Sequence, residues 1–374
     1  LFPGLAVAAQ LLRRDCAVMI MVSPKEVDQV AVRQAEGVKV VTLPGVGLTR
    51  GAEFAFLSGF LASFRASRRA FYRQPLQAVL AMGGFTCAPP LLAARVCRAK
   101  CYLHESNTIP GRANRWLSWL VDTAFVGFPE AATRLHARKV LTTGTPVRSQ
   151  FQPASTSACR RELGLDPDRP VVLVMGGSQG AAAINKLVLD SLPELTRLLP
   201  QAQYLHLTGA QAQAHVHQAY ANARVPAKVH PFLAEMHLAL GAASVAISRS
   251  GASSMAELAA MQIPSILIPY PTATDNHQFH NARAFERTGA ARMLDQQAAS
   301  PRVLAEWLRE LIELKEGRVL MQSALSRWHH SEAARQIADG ILGPGNPQLS
   351  APGVVRHPAS RIAAPGAQNL SLSA

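Results

Sequence analysis

The fold turns on Ala246-Ile247-Ser248-Arg249-Ser250-Gly251-Ala252-Ser253-Ser254, which runs on into Met255-Ala256-Glu257. Ser244–Ser248 reads as a buried strand, Gly251 as a tight turn, and Ser253 or Ser254 as the start of a helix. A strand that feeds a helix through a small-residue turn presents free backbone N–H groups and the positive end of a helix dipole, an arrangement that attracts phosphate. Glu257 falls three residues after Ser254. It has two readings, as the partner of Ser254 in a capping box or as a carboxylate that accepts the two hydroxyls of a nucleotide ribose.

The same alternation extends outward on both sides. Ahead of it come Val171–Met175 as a strand, Ala181–Leu189 as a helix, Gln203–Leu207 and Val229–Phe232 as strands, and Met236–Ala242 as a helix. Behind it come Ser254–Met261 as a helix, Ser265–Ile268 as a strand, and Asn276–Thr288, Val303–Leu314 and Leu320–Asp339 as helices. Around residues 148–170 the pattern breaks at Pro153, Ser155, Thr156 and Ser157, which read as a linker. Before the break the alternation is already present. Gly4–Arg14 is an amphipathic helix, followed by strands at Cys16–Val22 and Val38–Leu43 and a loop rich in glycine (Gly45, Gly47, Gly51). A long helix spans Phe54–Arg73, and Ala78–Met82, Lys100–Leu103, Thr123–Val126 and Lys139–Thr142 are strands, with helices at Pro89–Arg98 and Arg112–Leu120. Continuously apolar strands alternating with helices predict parallel sheets covered on both faces. The expectation is α/β with two Rossmann-like doubly wound domains, residues 1–147 and 171–342, facing across a cleft, and a disordered Pro/Gly/Ser/Ala-rich tail over 343–374.

The chain's 374 residues, 48% of them hydrophobic, suffice for two cores. No run approaches the ~18 apolar residues of a membrane span, and no secretory leader opens the sequence. Five cysteines without a CxxC pair read as a reduced, cytoplasmic inventory. A formal charge of +14 calls for an anionic partner: nucleic acid, a phospholipid surface or a diphosphate. Nucleic acid is disfavoured because no basic, aromatic-interleaved binding motif appears.

Polar residues gather at the predicted strand ends. Gly176-Gly177-Ser178-Gln179-Gly180 follows a strand and opens a helix, without the Lys-Ser/Thr of a Walker loop or the G-x-G-x-x-G of a nicotinamide site. Met82-Gly83-Gly84-Phe85-Thr86 is a second glycine turn. His104 and Glu105, beside Ser106 and Asn107, form a candidate acid/base pair. Asp275, His277 and Gln278 follow Ser265–Ile268. Asp166-Pro167-Asp168 formally spells a metal-binding Asp-x-Asp but reads as a turn, and no metal or other cofactor is expected. Phe54, Phe56, Leu57, Phe60, Leu61 and Phe64 precede Arg65, Arg68, Arg69 and Arg73, while Arg112 and Arg115 accompany Trp116 and Trp119. These sets fit either core packing with a solvated basic face or docking on anionic lipid.

These segments together resemble the MurG family of peptidoglycan glycosyltransferases. The resemblance rests on Phe2-Pro3-Gly4-Leu5-Ala6-Val7-Ala8, Met82-Gly83-Gly84-Phe85, His104-Glu105-Ser106-Asn107, Gly144-Thr145-Pro146-Val147-Arg148, Gly176–Gly180, Arg249-Ser250-Gly251-Ala252, Glu257 and Asp275-Asn276-His277-Gln278. It implies a GT-B fold and metal-independent, inverting transfer of N-acetylglucosamine from UDP-N-acetylglucosamine to lipid I, the undecaprenyl-diphosphate acceptor, giving lipid II. It further implies a peripheral position on the cytoplasmic face of the bacterial plasma membrane. Carried over residue by residue, it puts donor binding on Asn107, Arg148, Ser178, Leu233, Arg249, Ala252, Ser253, Ser254, Met255, Ala256, Glu257 and Gln278. Ser178 and Arg249 would lie near the diphosphate, Glu257 at the ribose, and Phe232 and Leu233 beside the uracil. Gly83, Gly84, Phe85 and Thr86 would meet the acceptor diphosphate. Family members carry a Gly-Gly-Thr-Gly-Gly-His loop just before the segment matching Leu1, and its His is a favoured base there; His104 and Glu105 are the candidates within this chain. Ser106, Thr145 and Ser253-Ser254 stand where Gln, Asn and Leu-Thr are common. Two other readings stay open: another UDP-N-acetylglucosamine enzyme on the same fold, such as an epimerase or glycolipid transferase, and a non-catalytic UDP-sugar binder.

Overall fold

The computed structural model describes residues 1–24, 32, 37–44, 53–177, 180–343 and 369–373. The chain forms two compact units, residues 1–148 with 331–374, and residues 149–330.

In the first unit the helices are α1 (Phe2–Leu12), α2 (Glu53–Arg73), α3 (Ala88–Val96), α4 (Arg112–Leu117) and α5 (Pro129–Ala132). The strands are β1 (Ala17–Val22), β2 (Lys39–Thr42), β3 (Ala78–Ala81), β4 (Lys100–Glu105), β5 (Thr123–Val126) and β6 (Lys139–Thr142). Period-two alternation sorts their side chains onto two faces of one parallel sheet. Val18, Ile20 and Val22 of β1, with Leu80 and Tyr102, pack against Val7 and Leu11 of α1. Met19, Met21, Val79, Cys101 and Leu103 pack on the other face with Phe71 and Leu91.

The chain re-enters this unit at its far end. The single helix expected over 320–339 is broken at 329–332. Its second piece packs on α1 through Ile337, Ala338 and Ile341 and is tied to it by an Arg14–Asp339 ion pair of 2.7 Å. Residues 369–373 also depart from the expected disordered tail. They form a parallel strand between β1 and β3, in register Ala17 with Asn369 and Ala78 with Leu370, which makes the sheet seven-stranded among the described residues.

In the second unit the helices are α6 (Thr156–Glu162), α7 (Ala182–Asp190), α8 (Leu192–Leu198), α9 (Gln213–Asn222), α10 (Met236–Ala242), α11 (Ala252–Met261), α12 (His277–Arg287), α13 (Pro301–Glu313) and α14 (Lys315–Trp328). The strands are β7 (Val171–Met175), β8 (Gln203–Leu207), β9 (Ala227–His230), β10 (Val245–Ser248), β11 (Ser265–Leu267) and β12 (Arg292–Met293). The remaining helix of the first unit is α15 (Ala333–Leu342) and its inserted strand is β13 (Asn369–Ser373).

The second sheet runs β12-β11-β10-β7-β8-β9 and every pairing is parallel. The expected linker is part of this unit. Buried Arg160 of α6 donates to the carbonyl of Ala242 (3.0 Å), the carbonyl of Pro167 (2.9 Å) and Ser244 Oγ (2.9 Å). Asp166-Pro167-Asp168 is a turn closed by Asp168 N–H donating to Asp166 Oδ1 at 2.9 Å. The expected α/β class with two parallel, helix-covered sheets is what the chain forms.

Candidate functional site

In the second unit the strand order reverses between β7 and β10, which pair in register with Met175 opposite Ser248. A doubly wound sheet opens a crevice beyond the carboxyl ends of the two strands at such a point. The chain leaves it side by side at Gly176 and Gly177 after β7 and at residues 249–251 after β10. Gly177 has φ +94° and Gly180 φ +75°, conformations that a side chain would strain. A Cβ on Gly180 would stand 2.1 Å from the carbonyl oxygen of Thr208, so the backbone at Gly180 passes close over the end of β8. Ser178 and Gln179 lie outside the described residues.

Across the crevice α11 starts at Ala252, earlier than expected, with Gly251 as its N-cap and no side chain capping it. Glu257 is therefore the sixth helical residue rather than the third. A capping box between Ser254 and Glu257 is not the arrangement here, because that motif needs the acidic residue at the third position after the cap. Ala252 and Met255 are buried, while Ser253, Ser254, Ala256 and Glu257 are half-buried.

The loops around α11 are held by specific bonds. Ser250 Oγ donates to the carbonyl of Gln278 at 2.8 Å, and Asn281 Nδ2 donates to the carbonyl of Ser250 at 3.1 Å. Gln278 Oε1 accepts from Tyr270 N–H at 3.0 Å. Asp275 and Asn276 both take left-handed backbone at φ +52° and +53° ahead of α12, a costly pair of conformations for residues with side chains. Arg249 is buried with its guanidinium engaged. It donates to the carbonyls of Ile268 and Pro269, both at 3.0 Å, and to Gln296 Oε1 at 2.8 Å, and it stacks on Tyr270. Burial pulls its pKa below the ordinary arginine value. On the other flank Thr208 and Gly209 N–H donate to the carbonyls of His230 and Pro231, which sets half-buried Leu233 and exposed Phe232 beyond the end of β8.

The first unit carries Asn107, Arg148 and the other glycine turn. Gly83 and Gly84 have φ +103° and +85°; Phe85 is exposed and Thr86 half-buried. The guanidinium of Arg148 lies 4.4 Å over the Phe2 ring.

Glu105 is buried and accepts four hydrogen bonds. Its Oε1 takes Asn107 N–H (2.8 Å) and Asn107 Nδ2 (2.9 Å), and its Oε2 takes Gly111 N–H (3.0 Å) and Asn114 Nδ2 (2.7 Å). That carboxylate is saturated. His104 is fully buried, with Nε2 3.1 Å from the Gly144 carbonyl and Nδ1 3.2 Å from Ser106 Oγ. Burial lowers its pKa to about 4, so the ring is neutral near pH 7. Nε2 faces a carbonyl and so carries the proton, which leaves Nδ1 to accept from Ser106.

Three asparagines absent from the sequence reading prove structural to the site: Asn114 under Gly83, Asn281 under Ser250 and Asn185 under Thr208. The spacing of Asn281, one helical turn after Gln278, could have signalled a shared face. For the other two the partners come from distant strands and leave no local trace. Among the described residues no group of three or more His, Cys, Asp or Glu is placed to hold a metal ion.

Residues 1–126 match the glycosyltransferase family 28 N-terminal domain, and residues 171–339 match the glycosyltransferase family 28 C-terminal domain. A relative from Anaeromyxobacter sp. (strain K), a UDP-N-acetylglucosamine–N-acetylmuramyl-(pentapeptide) pyrophosphoryl-undecaprenol N-acetylglucosamine transferase, is 32% identical over 97% of this chain and 95% of its own length. A relative of the same name from Carboxydothermus hydrogenoformans is 33% identical over 87% of this chain and 91% of its own. Among solved structures, MurG of Acinetobacter baumannii aligns with a TM-score of 0.68 at 25% identity, covering 91% of this chain and 95% of that one.

Proposed function

The chain belongs to glycosyltransferase family 28, and on that premise we propose that it transfers N-acetylglucosamine from UDP-N-acetylglucosamine to the muramyl hydroxyl of lipid I, forming lipid II. The relatives that carry this activity in their names align over nearly the whole chain. The observation that carries the site assignment is the reversal point between β7 and β10, where a glycine turn lies beside a helix start without a side-chain cap. Backbone N–H groups and the dipole of α11 suit the donor diphosphate there. Half-buried Glu257, one turn further along the helix, suits the ribose hydroxyls. Leu233 and Phe232 suit the flanks of the uracil.

In the reaction the acceptor oxygen attacks the anomeric carbon from the face opposite the UDP oxygen. The new glycosidic bond forms as the bond to diphosphate breaks, the hydroxyl proton passes to a base, and the electron pair leaves with UDP. The N–H groups at the start of α11 then stabilise the developing charge. Arg249 is a positioning residue in this reading, since its donors already hold the loop after β11. His104 and Glu105 likewise order the loop that carries Asn107. Gly83, Gly84, Phe85 and Thr86 remain the proposed contact for the acceptor diphosphate.

Lipid I sits in a membrane, and no described helix is long and apolar enough to cross one. We propose peripheral docking on anionic lipid through α2. Phe54, Leu57, Leu61, Arg65, Arg68 and Tyr72 repeat at three- and four-residue spacing along one exposed face, apolar at one end and basic at the other. Phe54 is 91% exposed, whereas Gly59, Ser63, Ser67 and Phe71 occupy the buried face. Phe60 and Phe64, named with this stripe in the sequence, are only half-buried, and Phe64 packs on the core. Trp116, 76% exposed, adds a further aromatic on α4 of the same unit.

Calorimetric competition tests the donor site. UDP should retain most of the affinity of the sugar nucleotide, because diphosphate, ribose and base make the contacts above. Binding of free N-acetylglucosamine but not of UDP would overturn the assignment.

A further inference from the structure

Beneath the glycine turn of the second unit lies a buried chain of polar groups that the reaction does not use. His206, at 0% exposure in the middle of β8, has Nδ1 3.1 Å from Tyr220 Oη and Nε2 3.0 Å from Asn185 Oδ1. Asn185 Nδ2 donates to the carbonyl of Thr208 at 3.0 Å. The directions are fixed by elimination. An amide whose nitrogen donates to a carbonyl turns its oxygen towards the ring, so Nε2 must carry the imidazole proton. Nδ1 then accepts, and the Tyr220 hydroxyl donates to it. The bonds run one way, from Tyr220 through His206 and Asn185 to the Thr208 oxygen.

That oxygen is the one over which Gly180 passes with no room for a Cβ. Asn185 lies on α7, which begins directly after the turn, and its N–H donates to the carbonyl of Ala181 at 2.9 Å. The polar chain therefore closes a ring: turn, helix, Asn185, Thr208 carbonyl, turn. We propose that His206 is a positioning residue for the sugar-nucleotide diphosphate, acting through Asn185 and Thr208 to fix the height and tilt of the backbone at Gly180, where the glycine turn runs into α7. This rests on the assignment of that turn to the donor diphosphate. A buried imidazole, amide and phenol are costly to satisfy compared with apolar groups of the same size. Here they terminate under a backbone turn whose placement a phosphate would read to within tenths of an ångström.

The test compares UDP affinity by calorimetry with amide hydrogen exchange across residues 176–184 in the full chain. His206→Leu should weaken UDP binding at least 10-fold and speed exchange in that segment. His206→Gln, whose amide can donate where Nε2–H stands, should recover to within about 3-fold of the parent. Tyr220→Phe, which removes a hydroxyl and keeps the ring, should shift both readouts in the same direction by less, and serves if His206→Leu fails to fold. Leu311→Ala, a core cavity in the same unit outside the polar chain, should lower the Tm without changing UDP affinity. UDP binding at parental strength in both His206→Leu and Tyr220→Phe would overturn the proposal, as would a His206→Gln no better than His206→Leu. Gly177→Ala separates the two layers of argument: if it leaves UDP affinity unchanged, the turn does not bind the diphosphate. If it abolishes binding while the His206 variants bind normally, only the positioning role fails.

Discussion

Glu105, buried at the end of β4 with four N–H donors around it, would lose half of that acceptor set if it became an amide. In Glu105→Gln one oxygen gives way to an NH2 that faces donors. Hydrogen bonds to a charged group contribute about 1.5–3 kcal/mol each, so a loss of about 3 kcal/mol in urea unfolding is expected. Unchanged stability would show that the carboxylate does not organise its loop. Glu257 stands differently, half-buried at the sixth position of its helix, outside the capping-box position. Glu257→Gln should weaken UDP binding by about 1–3 kcal/mol while leaving the Tm within a degree or two. The parent should bind UDP more tightly than its 2′,3′-dideoxyribose analogue, and the variant should not distinguish them. If the variant keeps the discrimination, Glu257 is not the ribose ligand. Both carboxylates were visible in the sequence, Glu105 at a strand end and Glu257 in the first turn of the helix expected after Gly251. Their different tasks were not, because two of the four donors to Glu105, from Gly111 and Asn114, lie beyond any short motif.

At the scale of elements, continuously apolar strands such as Val171–Met175 and Ala78–Ala81 could be read directly, since both faces of a parallel strand are covered. Helices with thin apolar faces could not. Only Val216 and Tyr220 of α9 are buried, and α6 hid in a Pro/Ser-rich stretch because what holds it is Arg160 reaching residues 242 and 244. Helix α2 was legible as a helix, but its choice between core and lipid was not, since Phe54 and Phe64 look alike in sequence and differ only in what lies beside them. Its exposed stripe makes a direct prediction. Arg65→Glu with Arg68→Glu should cut cosedimentation with vesicles containing anionic phospholipid several-fold at 0.1 M salt, and the parent's binding should itself fall as salt rises. Phe54→Ser with Leu57→Ser should weaken the same binding without lowering the Tm. Full vesicle binding by all four substitutions together would remove α2 from the membrane account.

Across the whole molecule, each unit buries a neutral histidine, His104 in the first and His206 in the second, and burial pulls them to about 4 and about 3. Unfolded, each returns to about 6.5, so below that pH the unfolded chain binds more protons. The stability associated with these groups is complete above about pH 6.5. It declines as pH falls towards 4 for His104 and 3 for His206, with a slope of up to about 1.4 kcal/mol per pH unit for each. Urea unfolding followed from pH 7.5 to 4.5 should show this decline, and His206→Gln should flatten it; an identical slope in parent and variant would contradict the assignment. The two-domain plan itself was legible from alternation, but its true edges were not. The chain returns to the first unit after His330 because Ile337 and Ile341 fit against α1, and β13 enters a central position in the sheet. Both are contacts between distant stretches that carry no local signal. The most direct measurement of the central claim is transfer of labelled N-acetylglucosamine from UDP-N-acetylglucosamine to a soluble lipid I analogue by this chain. Product with an inverted anomeric linkage, depressed at least 10-fold by Glu257→Gln, is the expected result. Tight UDP-N-acetylglucosamine binding with 2-epimerisation of the sugar and no transfer to the analogue would contradict it.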